Sequence, residues 1–304
     1  MNDHDSVYDG LLGGDDAHWA FGTSFEDPLA GVDTTVPDDV DRAALAAYCL
    51  MLGDDALVHS HRLAEWCSNA PDLEEDIALA NIALDLLGQA RLLLARAAAA
   101  DPEVVPVLPE GSPAPPEDAL AFFRDQSAFR NVRLVETPNG DFAETMVRLL
   151  LHATWRLAIM QRLVGSRDPV LAAIAAKAVK ELTYHRDHAG RWVVTLALGT
   201  EESRRRLVAA LDAVWPLRWE LDRTHDVERR LAAGGVAVDP VDVAAEVDVL
   251  LAHVLGTAEV EQPDVKRIGA HGGLTGRDGR HTESLSRLLA ELQSVARAHP
   301  LGLW

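Results

Sequence analysis

The segment KELTYHRDH, residues 180–188, places Glu181, Tyr184, His185 and His188 within two turns of one predicted helix. A carboxylate and an imidazole on one helical face are donors suited to a buried metal. In di-metal four-helix bundles, two helices each supply a Glu and the other two each supply Glu-x-x-His, all facing inward. Several carboxylates are needed there to neutralise two highly charged cations, and imidazoles complete the coordination shells. Here the third residue after Glu181 is Tyr184, and His185 follows one place later. That displacement turns the ligand by about 100° around the helix axis. Whether the segment belongs to a metal site depends on what the other helices contribute.

Those helices can be read from apolar periodicity and its punctuation. The first is predicted from near Asp41 to Trp66, with Leu45, Leu52, Leu57 and Leu63 on an apolar face interrupted by Gly53. The second follows the SNAPD turn and runs to about Ala100. Asp72, Glu74, Glu75 and Asp76 in its first turn complement the helix dipole. A proline-rich loop, PEVVPVLPEGSPAPPED, is the clearest internal connection, and a short helix around 117–127 follows it. Asp141 with Glu144 marks the start of the third long helix, which ends near Val164. Pro169 opens the fourth, reaching about Leu198. Further helices are expected from about 200 to 233, 240 to 259 and 282 to 298, with a glycine-rich loop over 262–280. No strand pattern is visible. The expected architecture is all-α: an antiparallel four-helix bundle with additional C-terminal helices.

The bundle does not assemble a full ligand set. The first helix offers Asp54 and Asp55, then His59, His61 and Glu65. The second has Asp85 centrally, with Gly88 three residues on and no histidine. The third carries no carboxylate between Glu144 and Asp168, and His152 is its metal-capable side chain. No metal is therefore expected. The favoured arrangement is a polar network in which Asp54 or Asp55, Asp85, Arg62 and Glu181 pair across the bundle. Tyr184 and His185 complete its hydrogen bonds, because buried charges persist when paired. The rival reading is an independent metal-dependent oxidase using Glu181 and His185, which lie on one face at i,i+4.

Charge and composition narrow the function further. Of 304 residues, 48 % are hydrophobic and 5 % aromatic, and the formal net charge is −20. Such a surface repels phosphate backbones and anionic lipid, so neither nucleic acid nor membrane is an expected partner. Cys49 and Cys67 are the two cysteines and are read as buried thiols. The amino-terminal MNDHDSVYDG has neither a basic start nor an apolar run, and a cytoplasmic location is expected. Residues 1–38 are rich in Asp and Gly without helical period and read as a disordered acidic extension. An alternative is an arm that lies on a partner through Trp19, Phe21 and Phe25. Residues 39–304 form the helical domain. Arg204, Arg205 and Arg206 read as a solvated helix face. HGGLTGRDGRH (271–281) reads as a flexible connection or a loop that docks on a partner. No nucleophile lies at a recognisable spacing from a base, so no catalytic residue is assigned.

Several stretches together carry a family resemblance: LGDDALVHSHRLAEW (52–66), APDLEEDIALANIALDLLGQARLLL (70–94), VETPNGDFAETM (135–146) and SRDPVLAAIAAKAVKELTYH (166–185). GGVAVDP (234–240) and the terminal HTESLSRLLAELQSVARAHPLGLW (281–304) extend it. From about residue 44 to the carboxyl terminus the chain resembles the PaaC subunits of bacterial phenylacetyl-CoA epoxidases. The resemblance implies a ferritin-like structural subunit without a metal centre of its own. Its implied partner is a PaaA-like catalytic subunit that holds the di-iron cofactor and the CoA thioester, with other epoxidase subunits and a reductase completing the complex. A homodimer is compatible with it. The acidic extension and the long proline-rich loop depart from the family pattern, and Ala153 stands where some relatives have an acid.

Overall fold

The computed structural model describes residues 29–266 and 273–303. Most of the acidic extension, including Trp19, Phe21 and Phe25, lies outside the described residues, as does part of the glycine-rich loop.

Two long helical hairpins dominate. The first pairs α1 (Arg42–Ala64) with α2 (Leu73–Ala100), and the second pairs α5 (Phe142–Leu163) with α6 (Pro169–Leu198). Each of these four helices begins at an aspartate that accepts a backbone N–H three residues on: Asp41 from Ala44, Asp72 from Glu75, Asp141 from Glu144 and Asp168 from Leu171. Such a cap is worth about 1 kcal/mol, so all four starts are fixed locally by sequence. Between the hairpins lie α3 (Pro116–Phe122) and the four-residue α4 (Arg133–Glu136). After them come α7 (Glu201–Val214), α8 (Asp226–Ala233), α9 (Val241–Thr257) and α10 (Glu283–Ala298). Among the described residues there is no β-strand, and the bundle is all-α and ferritin-like.

Burial explains why the long helices are so apolar. In α5 nearly every residue from Ala143 to Met160 is buried, because α6, α7 and α9 all pack on it. Gly53 does not interrupt the face of α1. A Cβ there would lie 3.1 Å from Leu94 Cδ2, so the missing side chain lets α1 and α2 approach closely.

Three expectations need correction. The single helix expected over 200–233 is broken into α7, a 3-10 segment (Trp215–Glu220) and α8. Pro216, at the start of that segment, has no N–H to continue the α ladder. The extension does not reach residue 38: Val36 and Val40 are buried, and Leu29 and Val32 pack against the core. This strap supplies acceptors for the buried Arg96, whose guanidinium donates to the Thr34 carbonyl at 2.6 Å and pairs with Asp168. Finally, Cys67 is exposed, and only Cys49 is buried.

Candidate functional site

The inward acids of α1 are already engaged. Asp54 accepts from Arg124 Nη1 at 3.0 Å and from the Arg130 backbone N–H at 2.8 Å. The Arg124 guanidinium also sits 4.3 Å over the Phe129 ring. Asp55 accepts from Arg277 Nη2 at 2.7 Å and from the Val132 N–H at 2.8 Å. Burial pushes the Asp55 carboxyl up, and the Arg277 charge opposes that shift. Arg277 donates as well to the Met51 and Arg130 carbonyls. Adjacent residues on a helix point about 100° apart, so Asp54 and Asp55 pin two neighbouring stretches of loop 124–132. Asp55 also clamps the glycine-rich loop. Gly276 makes this possible, because a Cβ there would sit 2.0 Å from the Asn131 carbonyl oxygen.

The pairing expected across the bundle is therefore redistributed. Asp54 and Asp55 pair with loop arginines rather than with Arg62. Arg62 donates to Glu65 at 2.7 Å and to the Glu136 carbonyl at 2.9 Å. Tyr184 is 45 % exposed and stacks on His188 at 5.6 Å between ring centroids, so it takes no part in an internal network. Loop residues 273–281 dock on this chain's own bundle, with His281 Nδ1 2.7 Å from Glu136 Oε2.

Asp85, Glu181 and His185 all lie at the seam between α2 and α6, where Asp85 pairs with His185 and Glu181 is engaged separately. His185 Nε2 lies 3.0 Å from Asp85 Oδ2. Glu181 accepts from Gln89 Nε2 at 2.9 Å and pairs with Lys177. Gln89 in turn accepts from Arg156 Nε at 3.0 Å, and Arg156 Nη1 donates to the Leu52 carbonyl at 3.0 Å. A chain of polar contacts thus crosses from α6 through α2 and α5 to α1. Arg156 is wholly buried, which lowers its pKa to about 10 and leaves it charged at neutral pH. Deeper still, His59 Nδ1 and His152 Nδ1 are 2.9 Å apart. Burial holds both imidazoles well below the usual histidine range, so both are neutral, and one donates to the other. Sequence reasoning missed Gln89, Arg124, Arg156 and the His59–His152 pair. The available signal was arginine in apolar helices, since a buried guanidinium needs acceptors on neighbouring elements.

This donor set does not fit a di-metal centre. Glu181 and Asp85 have cationic or N–H partners, and Arg156 places a positive charge near Glu181 through their shared partner Gln89. Among the described residues no three His, Cys, Asp or Glu side chains converge in a way that could hold a metal ion.

Comparison with known proteins agrees with the resemblance in the motifs. The model of the family described as phenylacetic acid catabolic protein, PaaA_PaaC, matches residues 30–304. The chain is 43 % identical over 262 residues to the C subunit of the 1,2-phenylacetyl-CoA epoxidase of Escherichia coli strain K12, covering 86 % of this chain and 99 % of that protein. This chain belongs to the phenylacetic acid catabolic protein family, PaaA_PaaC.

Proposed function

We propose that this protein is the non-catalytic subunit of a phenylacetyl-CoA epoxidase, acting in the cytoplasm in aerobic phenylacetate breakdown. In this reading it packs against a PaaA-like subunit that carries the di-iron cofactor, and it holds that subunit's helices in place. The observation that carries the reading is the arginine occupancy of the bundle. Arg124 and Arg277 engage the acids of α1, and Arg156 donates to Gln89, which in turn donates to Glu181 at the α2–α6 seam. Positive charge at these positions opposes a dication and makes the interior a set of structural clamps.

The independent oxidase using Glu181 and His185 is disfavoured by their separate engagements, with Lys177 and Gln89 for one and Asp85 for the other. Co-expression with a di-iron homologue from the same pathway, followed by co-purification and iron analysis of each chain, tests the proposal. A complex with iron confined to the partner chain is expected. Two irons per copy of this chain, or no association with the homologue, would overturn it.

A further inference from the structure

A cavity of about 350 Å³ lies where α1, the loop 124–132, the start of α8 and the glycine-rich loop come together. Ala47 and Met51 of α1 supply apolar surface, and Arg130, Arg223 and Arg277 supply three guanidiniums. Such a concentration of arginine stands out on a chain whose formal net charge is −20.

The three arginines are not equivalent. The charge of Arg277 is balanced by Asp55 at 2.7 Å. Arg130 donates through Nη1 to the Ser127 and Phe129 carbonyls, at 2.7 and 2.8 Å. Arg223 donates through Nη2 to the Gly273 carbonyl at 3.1 Å and lies 5.7 Å over the Trp219 ring. A guanidinium has five N–H donors, and these contacts use one nitrogen of each. Neither Arg130 nor Arg223 forms an ion pair among the described residues. Burial pushes the Arg130 guanidinium down, and the charges of Asp54 and Asp278 only partly offset it. A desolvated cation without a paired anion favours a ligand of opposite charge.

Two carboxylates border the same cavity. Asp226 is paired with Arg229 at 2.7 Å. Asp278 Oδ2 accepts from the Thr275 N–H at 2.8 Å and from the Thr275 hydroxyl at 2.9 Å. Two unpaired guanidiniums therefore outweigh one remaining carboxylate. The loop is also shaped around one of them. Gly279 has φ +75°, and a Cβ there would lie 3.0 Å from Arg130 Nη1. The positive φ thus lets the chain turn closely over the guanidinium.

Two guanidinium forks on separate segments suit a compact dianion with several acceptor oxygens, which is the chemistry of phosphate. The cavity is larger than a free phosphate, and its apolar side leaves room for an attached organic group. At physiological ionic strength charges more than about 8 Å away are largely screened, so these arginines rather than the net charge set the local potential. We propose that this cavity is a phosphate-binding site, in which Arg130 and Arg223 hold a free phosphate or the phosphate of a small ester. This does not rest on the epoxidase reading, since it concerns binding to this chain alone.

Titration calorimetry of the full chain, purified without phosphate, tests it. Inorganic phosphate is expected to bind at one site per chain with a Kd below about 1 mM. Arg223→Gln removes a side chain with a single carbonyl contact and should raise that Kd about 10-fold. Arg130→Gln/Arg223→Gln should raise it about 100-fold. Arg205→Gln/Arg206→Gln removes the same charge from an exposed stretch of α7 and should leave it unchanged. An unchanged thermal midpoint of Arg223→Gln in phosphate-free buffer would verify its fold. Adenosine monophosphate in place of phosphate separates the two sources. Tighter binding of the ester marks a phosphorylated small molecule as the ligand, and equal or weaker binding marks free phosphate. Lack of saturable phosphate binding, an unweakened Arg223→Gln variant, equal weakening in the α7 control, or displacement by acetate at the same concentration would each overturn the proposal.

Discussion

Arg277 and Asp55 are 222 residues apart in sequence, yet Arg277 Nη2 lies 2.7 Å from Asp55 Oδ2 inside the protein. The pair fixes the segment preceding α10 to the first helix of the bundle. Both side chains are almost wholly withdrawn from water. Removing one member of such a pair leaves a buried charge without its partner. Arg277→Ala should destabilise the protein by about 3–5 kcal/mol, whereas replacing both by apolar residues of similar volume should cost much less. Urea unfolding of the single and double variants measures the difference. Equal losses in both would show that the pair does not act as a clamp.

Acid sensitivity should follow from the His59–His152 pair. Both imidazoles are held well below the usual value of 6.5, first by burial and then by neighbouring positive groups. In the unfolded chain each binds a proton near pH 6.5, and in the folded chain each does not. The neutral rings therefore favour folding above pH 6.5, and that contribution is lost as pH falls towards the depressed folded values. Each histidine adds about 1.4 kcal/mol per pH unit to the slope within that window. Replacing both by leucine should flatten the acid limb of a stability–pH profile. His61 and His188, also lowered, should leave a residual slope.

Two glycines should respond oppositely to alanine. At Gly276 a Cβ would collide with the Asn131 carbonyl, and the loop that delivers Arg277 would have to move. Gly276→Ala should cost about 1–3 kcal/mol or more, as overpacking does. Gly256, near the end of α9, has nothing within 4 Å of its Cβ position. Gly256→Ala should stabilise by up to about 1 kcal/mol through helix propensity. Thermal midpoints of the two variants should therefore move in opposite directions.

The elements were easier to read than the site, for a physical reason. Asp41, Asp72, Asp141 and Asp168 cap their helices through contacts three residues away, so local sequence reports them. Asp54 and Asp55 were visible as inward acids of α1, but their partners lie on loops far along the chain. Nothing near residue 55 announces Arg277, and a glycine-rich loop reads as mobile until Gly276 is seen against the Asn131 carbonyl. Tyr184 misled in the opposite way. It occupies the i+3 place after Glu181, yet the α2–α6 seam buries His185 and turns the tyrosine outward. The 3.6-residue period fixes which residues share a face, but neighbouring helices decide which face becomes the interior.

The amino-terminal strap gives the last prediction. Arg96 is 2 % exposed and donates to the Thr34 carbonyl while pairing with the wholly buried Asp168. Asp168 also caps α6 by accepting from the Leu171 N–H at 2.9 Å. The strap, through Arg96, is thus coupled to the start of the fourth long helix. It also covers apolar surface with Val36 and Val40, which are 5 % and 8 % exposed. A chain beginning at residue 29 and one beginning at residue 41 differ only in this strap. The shorter chain loses two buried valines, worth about 1.5–3 kcal/mol each when fully buried. It also loses an acceptor for a buried guanidinium, at about 1–3 kcal/mol. Its unfolding midpoint in urea should fall clearly below that of the longer chain, with hydrogen exchange accelerated in the first turns of α6. Identical midpoints would place the folded domain's boundary at residue 41 instead.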